Sequence, residues 1–299
     1  MSNLVVAAVQ ISCMDDVNAN LDKIEGHVRE AARRGAKLVV LQELFEGPYF
    51  CVDMDAKHNA RARPFSGHAT IERLSTLAKE LNVVLPVSFF ELDGNKRFNS
   101  LAMVDADGSV LGLYRKSHIP DSLGYSEKFY FADGDTGFKV FDTAVGKIGA
   151  GICWDQWFPE AARSMVLMGA EILIYPTAIG SEPSYVNWDS RDHWQRVMQG
   201  HAGANLTPVI AANRVGVETG ASGHIAFYGS SFIADHTGAK LAEADRVSEC
   251  VITASLDMKA IDEARRSWGV FRDRRGELYG EIVKPSPARL LDSMKTHVN

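Results

Sequence analysis

A chain of 299 residues, 46% hydrophobic and 23% charged, has the make-up of a globular protein with a large core, not of a disordered or fibrous one. Its net charge of −6, with no block of five or more basic residues, argues against a nucleic-acid or anionic-membrane surface. Four scattered cysteines (Cys13, Cys51, Cys153, Cys250) without CxxC pairs suit free thiols in a reducing compartment better than a disulfide framework.

The start of the chain, Met1 to Gln10, lacks a basic segment and a long apolar core, so it does not read as a signal peptide. No apolar run reaches membrane-spanning length. The expectation is a cytoplasmic protein. Leu4 to Ile11 reads as a buried strand, followed by Val17, Leu21, Ile24, Val28 and Ala31 at helical spacing, with Gly35 as a stop. Lys37 to Leu41 is the next strand, Ser66 to Leu81 a helix, and Val83 to Phe90 a strand. Arg97 to Lys116 reads as a hairpin turning at Asp105 to Gly108. Further strands are expected at 138–141, 147–153, 171–175, 208–213, 224–235 and 251–256, and helices at 159–168 and 189–205. Alternation of strands and helices with interspersed hairpins points to mixed sheets with helices outside. No linker or repeat breaks the chain, so residues 1–299 read as one domain, with a C-terminal arm from about 269 suited to docking on another subunit.

Three reactive residues stand at the ends of apolar runs: Glu43 after Leu38 to Leu41, Lys116 after Val110 to Tyr114, and Cys153 after Ile148 to Ile152. Strand ends in layered α/β folds are where catalytic groups gather. Each has a bland reading on its own: a buried thiol, a strand-end carboxylate, a solvated lysine. Together they are the parts of an amide-cleaving site. A thiol at a strand-to-helix turn is expected to favour the thiolate. The N–H after it can face a developing oxyanion.

The stretches Leu41-Gln42-Glu43-Leu44-Phe45, Tyr114-Arg115-Lys116-Ser117-His118-Ile119-Pro120 and Gly151-Ile152-Cys153-Trp154-Asp155 resemble the three motifs of the nitrilase superfamily. The resemblance covers nearly the whole chain. It implies a four-layer α-β-β-α sandwich, with Glu43 as general base, Lys116 as oxyanion stabiliser and Cys153 as nucleophile. Glu127, in Tyr125-Ser126-Glu127-Lys128, matches the second, positioning glutamate of the superfamily. It also implies a homo-oligomer built from dimers and no metal or organic cofactor.

Within the superfamily, His118 to Tyr125, Tyr175 to Pro183 and Ser267 to Arg275 look like the N-carbamoylputrescine amidase branch. The loop after Cys153 has no cation before Arg163, so a fork for a substrate carboxylate is missing. Tyr49, Asp121, Tyr125 and Trp154 are the candidates to hold a small cationic ureido substrate through ion pairing and cation–π contact. Other amidases of the superfamily, a non-catalytic relative and a thiol redox sensor stay as alternatives. No metal-ligand spacing appears among the nine histidines, and Gly216 to Gly223 lacks a phosphate-loop lysine.

Overall fold

The computed structural model describes residues 3–185 and 187–287. The chain runs β1 (Asn3–Gln10), α1 (Val17–Arg33), β2 (Leu38–Val40), α2 (Ala69–Leu81), β3 (Leu85–Asp93), β4 (Lys96–Val104), β5 (Val110–Arg115), β6 (Lys139–Thr143) and β7 (Gly146–Ala150). It continues with α3 (Pro159–Leu167), β8 (Ile172–Pro176), α4 (Arg191–Asn205), β9 (Val209–Ala212), β10 (Val215–Thr219), β11 (His224–Tyr228), β12 (Phe232–Ala234), β13 (Lys240–Glu243), β14 (Cys250–Asp257) and α5 (Met258–Trp268).

Hydrophobic patterning sorts these elements into four layers. In β1, Val6 and Ala8 point to one face and Ala7 and Val9 to the other, the period-two alternation of a strand. Val6 and Ala8 meet Ile148, Ile172, Ile174, Ile210 and Ile233 of a second sheet. Ala7 and Val9 lie under α1 and α2, which supply Leu21, Ile24, Val28, Leu74 and Leu77. On the far side, Leu173, Tyr175, Val209 and Ala211 pack against Met165 of α3 and Trp194 and Met198 of α4. Each aliphatic side chain so buried contributes about 1.5–3 kcal/mol. The architecture is the α-β-β-α sandwich.

One sheet joins β14-β1-β2 to β3-β4-β5. The seam is made by the Val39 N–H on the Val84 carbonyl (3.1 Å) and the Val84 N–H on the Lys37 carbonyl (2.8 Å). The other sheet has the order β13-β12-β9-β8-β7-β6. Its β7, β8 and β9 are parallel and its outer pairs antiparallel, so the sheets are mixed. No helix among the described residues is long and apolar enough to cross a membrane.

Local chemistry sets the boundaries. The Asp16 side chain accepts from the N–H groups of Asn18 and Ala19 and caps α1. The second helix starts at Ala69, three residues later than its spacing predicts, because Gly67 takes a positive φ of +70° in the preceding turn. The stretch 224–235 is two strands, not one. It breaks at Gly229 (φ +52°) and Ser230 (φ +56°), so β11 pairs with β10 while β12 joins the second sheet. The hairpin strand β10 and helix α5 were not legible as elements. In the expected arm, Gly269 ends α5 in the left-handed region and two 3₁₀ turns follow; residues 288–299 lie outside the described residues.

Candidate active site

The first sheet delivers Glu43 three residues after β2 and Lys116 directly after β5. The second delivers Cys153 at the head of the 3₁₀ turn Cys153–Trp157, three residues after β7 rather than at the strand's last position. The Glu43 N–H donates to the carbonyl of Thr177, just after β8, which ties the glutamate loop to the second sheet (3.3 Å).

Lys116 is buried between two carboxylates. Its Nζ donates to Glu43 Oε1 at 2.8 Å and to Glu127 Oε2 at 2.7 Å. All three side chains are fully shielded from solvent. An isolated charge in such a place would be very costly, so the cluster exists only because its members pair. Burial alone pushes the Lys116 ammonium towards losing its proton. Glu127, Glu43 and Cys153 outweigh that and hold it well above the ordinary lysine range. Burial, with the Glu43 charge added, lifts the Glu127 carboxyl to about 7 against the pull of Lys116.

Two neutral groups complete the cluster. Asn99 Nδ2 donates to Glu43 Oε1 at 2.6 Å, and the Tyr49 hydroxyl donates to Glu127 Oε1 at 2.7 Å. One oxygen of Glu43 is therefore fixed by two donors. The other, Oε2, is buried with no partner among the described residues. A carboxylate held this way can accept a proton at one defined atom.

Cys153 has φ +44°, a left-handed conformation that is uncommon for a residue with a side chain. Asp155 holds that turn in place. Its Oδ2 accepts from the Ile152 N–H (2.9 Å) and the Tyr114 hydroxyl (2.7 Å). Its Oδ1 accepts from the His118 N–H (3.0 Å) and lies 2.7 Å from His118 Nδ1. One buried carboxylate thus fastens the cysteine turn to the lysine loop.

The thiol itself departs from expectation. Burial and the Glu43 charge push Cys153 well above the ordinary thiol range, and the nearby Lys116 offsets this only in part. A five-residue 3₁₀ turn gives little helix dipole, and the sulfur is almost fully enclosed. These influences favour the thiol over the thiolate.

Cys153 and Glu127 line a cavity of about 240 Å³. Its walls include Tyr125, Trp154, Trp157, Tyr185 and Trp188, with Glu182 and His193 among them. Burial raises the Glu182 carboxyl above its ordinary range. No lysine or arginine lines the cavity among the described residues. A larger cavity of about 500 Å³, lined by Glu46, Arg61, Arg63 and His68, contains none of Glu43, Lys116 and Cys153.

Of the four substrate-binding candidates, Tyr125 and Trp154 line the smaller cavity. Tyr125 is further fixed by its hydroxyl, which donates to the Ser181 carbonyl (3.1 Å) and accepts the Gly180 N–H (2.9 Å). Tyr49 instead lies behind Glu127, and Asp121 is an exposed residue outside the cavity lining. Sequence reasoning missed Asn99, Glu182, Tyr185, Trp188 and His193. For Asn99 a signal existed, since asparagine is depleted in strand interiors and this one sits in the middle of β4.

Residues 5–266 match the carbon-nitrogen hydrolase family. The chain belongs to that family. An N-carbamoylputrescine amidase of Arabidopsis thaliana is 58% identical over 284 residues, covering 94% of this chain and 95% of the relative. A citrullinase of Francisella tularensis is 53% identical, covering 95% of this chain and 99% of the relative. A carbon-nitrogen hydrolase crystal structure from Helicobacter pylori G27 superposes with a TM-score of 0.88 at 37% identity, covering 95% of this chain and all of that one. This carbon-nitrogen hydrolase is an enzyme of the nitrilase superfamily, as its three motifs imply.

Proposed function

We propose that this carbon-nitrogen hydrolase converts N-carbamoylputrescine to putrescine, carbon dioxide and ammonia, with Cys153 as nucleophile. Glu43 Oε2 takes the thiol proton and the thiolate attacks the ureido carbon. Lys116 and the Trp154 N–H stabilise the oxyanion. Ammonia leaves with the proton from Glu43, and an aminobutylcarbamoyl thioester forms on Cys153. Water, deprotonated by Glu43, then attacks that thioester. The carbamic acid released decomposes to carbon dioxide and putrescine. Glu127 keeps Lys116 charged and in place.

The observation that carries the substrate is the cavity wall: aromatic, free of lysine and arginine among the described residues, and bearing the Glu182 carboxyl. Such a wall suits an ammonium tail by ion pairing and by the faces of Trp154, Trp157 and Trp188. The 58% identical amidase supports the same reading. Citrulline, suggested by the name of the 53% identical relative, presents the same ureido group. Its α-carboxylate, however, would enter a cavity without a guanidinium or ammonium to meet it.

The same reading takes 1–299 as one cytoplasmic hydrolase domain that needs no cofactor. It forms dimers whose arm, from about 269, exposes Leu278, Ile282 and Val283 for docking. The test is the ratio of kcat/KM for N-carbamoylputrescine to that for citrulline and for N-carbamoyl-β-alanine, read as ammonia release. A ratio well above unity against both is expected. Preference for either acid would overturn the substrate assignment.

A further inference from the structure

Arg214 is a buried cation with no place in the chemistry above. It follows β9 and immediately precedes β10, is 0% exposed and does not line the catalytic cavity. Three of its four hydrogen bonds converge on one loop, and the fourth goes to Glu218 of β10. Nη2 donates to the carbonyls of Glu43 (2.8 Å) and Leu44 (3.0 Å). Nη1 donates to the Gly47 carbonyl (3.3 Å) and to Glu218 Oε1 (2.7 Å). The other oxygen of Glu218 accepts the N–H of Tyr49. The guanidinium also lies 5.8 Å from the Tyr49 ring centre and 5.3 Å from that of Phe227.

The loop so held carries two residues of the buried cluster: Glu43 at its start, and Tyr49, whose hydroxyl bonds Glu127, at its end. Between them Leu44 has φ +48°, which a leucine adopts only when its surroundings enforce it. The Glu43 and Leu44 carbonyls share Nη2 while Gly47 and Glu218 take Nη1, so four acceptors are divided between the two nitrogens of one planar fork. Lysine, a compact charge on a flexible stem, cannot reproduce that.

We propose that Arg214, with Glu218, is the positioning pair for the general base. It fixes the backbone at Glu43 and Leu44, so that Oε1 of Glu43 stays with Lys116 and Asn99 and Oε2 is left without a partner, open to take a proton. Arg214 acts through Glu43 and touches neither substrate nor thiol. The inference rests on Glu43 serving as the base, so Glu43→Gln is measured beside it.

In the full-length protein, Arg214→Lys and Arg214→Met are compared with the parent for kcat and KM on N-carbamoylputrescine. Circular dichroism and thermal melting report folding. Arg214→Lys is expected to lower kcat about 10-fold and Arg214→Met about 100-fold, a loss typical of slight misplacement. KM should stay within about twofold, because the cavity wall is untouched. The rate of Cys153 alkylation by iodoacetamide, followed by peptide mass spectrometry, gives a readout that loss of stability does not mimic. It should fall in Arg214→Lys and in Glu43→Gln, and fall no further in the double variant, since both changes act on one base.

A folded Arg214→Lys with kcat within about twofold of the parent would overturn the proposal. So would alkylation losses that add in full. Failure of both Arg214 variants to fold overturns it in favour of a purely structural arginine. Undiminished turnover in Glu43→Gln would remove Glu43 as the base, whatever the Arg214 variants do.

Discussion

The candidate site has two unlike regions, a sealed polar cluster behind Cys153 and the wall of the cavity in front of it. At one, Glu43, Lys116 and Glu127 are sealed from water and bound to one another and to Asn99 and Tyr49 at 2.6–2.8 Å. At the other, Tyr185 and Trp188 are 55% and 52% exposed on the connection between β8 and α4, with Glu182 beside them. The first draws Glu43 from the loop after β2, Asn99 from within β4, Lys116 from the end of β5 and Glu127 from a short 3₁₀ turn. The second is a loop wall that can change its side chains without disturbing either sheet. On the mechanism proposed above, the proton route belongs to the buried cluster and selection among ureido substrates to the loop wall, where loops tolerate variation.

The largest effect should come from the buried cluster. Glu43→Gln keeps the shape of the side chain and should lower kcat about 100- to 10,000-fold in an ammonia-release assay, with little change in KM. A change confined to KM would place Glu43 in binding instead. Next is the aromatic wall: Glu182→Gln should raise KM for N-carbamoylputrescine about 10- to 100-fold, the worth of a charged hydrogen bond, and leave kcat near the parent value. Butylurea, which lacks the ammonium, should lose nothing in this variant. An equal loss for both substrates would remove Glu182 as the ammonium partner.

Gly134 tests how rigid the buried cluster is. A Cβ there would stand 2.2 Å from the Arg115 carbonyl oxygen and 2.6 Å from that of Lys116. Gly134→Ala should therefore cost about 1–3 kcal/mol in denaturant unfolding and depress kcat together with it. Unchanged kcat would show that Lys116 tolerates displacement of its backbone.

Glu127 gives the smallest expected change, a pH dependence. Its carboxyl is lifted from an ordinary value of 4.5 to about 7 in the folded chain. Across that window the folded state binds more proton than the unfolded state, so this group makes folding less favourable as pH rises. Glu127→Gln removes the titration, and its melting temperature should fall less than the parent's over the same range. Superimposable curves would contradict the raised carboxyl.

The two regions also differ in how far the sequence announces them. Glu43, Lys116 and Cys153 could be placed because each follows a short apolar run, and a strand end next to a reactive group is a local pattern. The four layers were legible for the same reason, since residues 4–11 and 171–175 alternate or run apolar as buried strands do. Glu182, Tyr185 and Trp188 sit on a connection whose path no periodicity dictates, so their convergence on Cys153 needed the fold. Asp121 is the converse case. It stands only five residues after Lys116, yet the turn there leaves it exposed and outside the cavity. Asn99 lies in β4 and Arg214 just before β10, and only long-range pairing brings them to Glu43. The expected lowering of the Cys153 thiol is opposed by burial of its sulfur, which a sequence does not show.

The central claim, that Cys153 carries the acyl intermediate, is tested most directly by rapid acid quench of the enzyme mixed with N-carbamoylputrescine, followed by mass spectrometry of the Cys153 peptide. An adduct on Cys153 with the mass of an aminobutylcarbamoyl group is expected, absent from Cys153→Ala, which should release no ammonia. Ammonia release by Cys153→Ala at the parent rate, or an adduct on another residue, would contradict it.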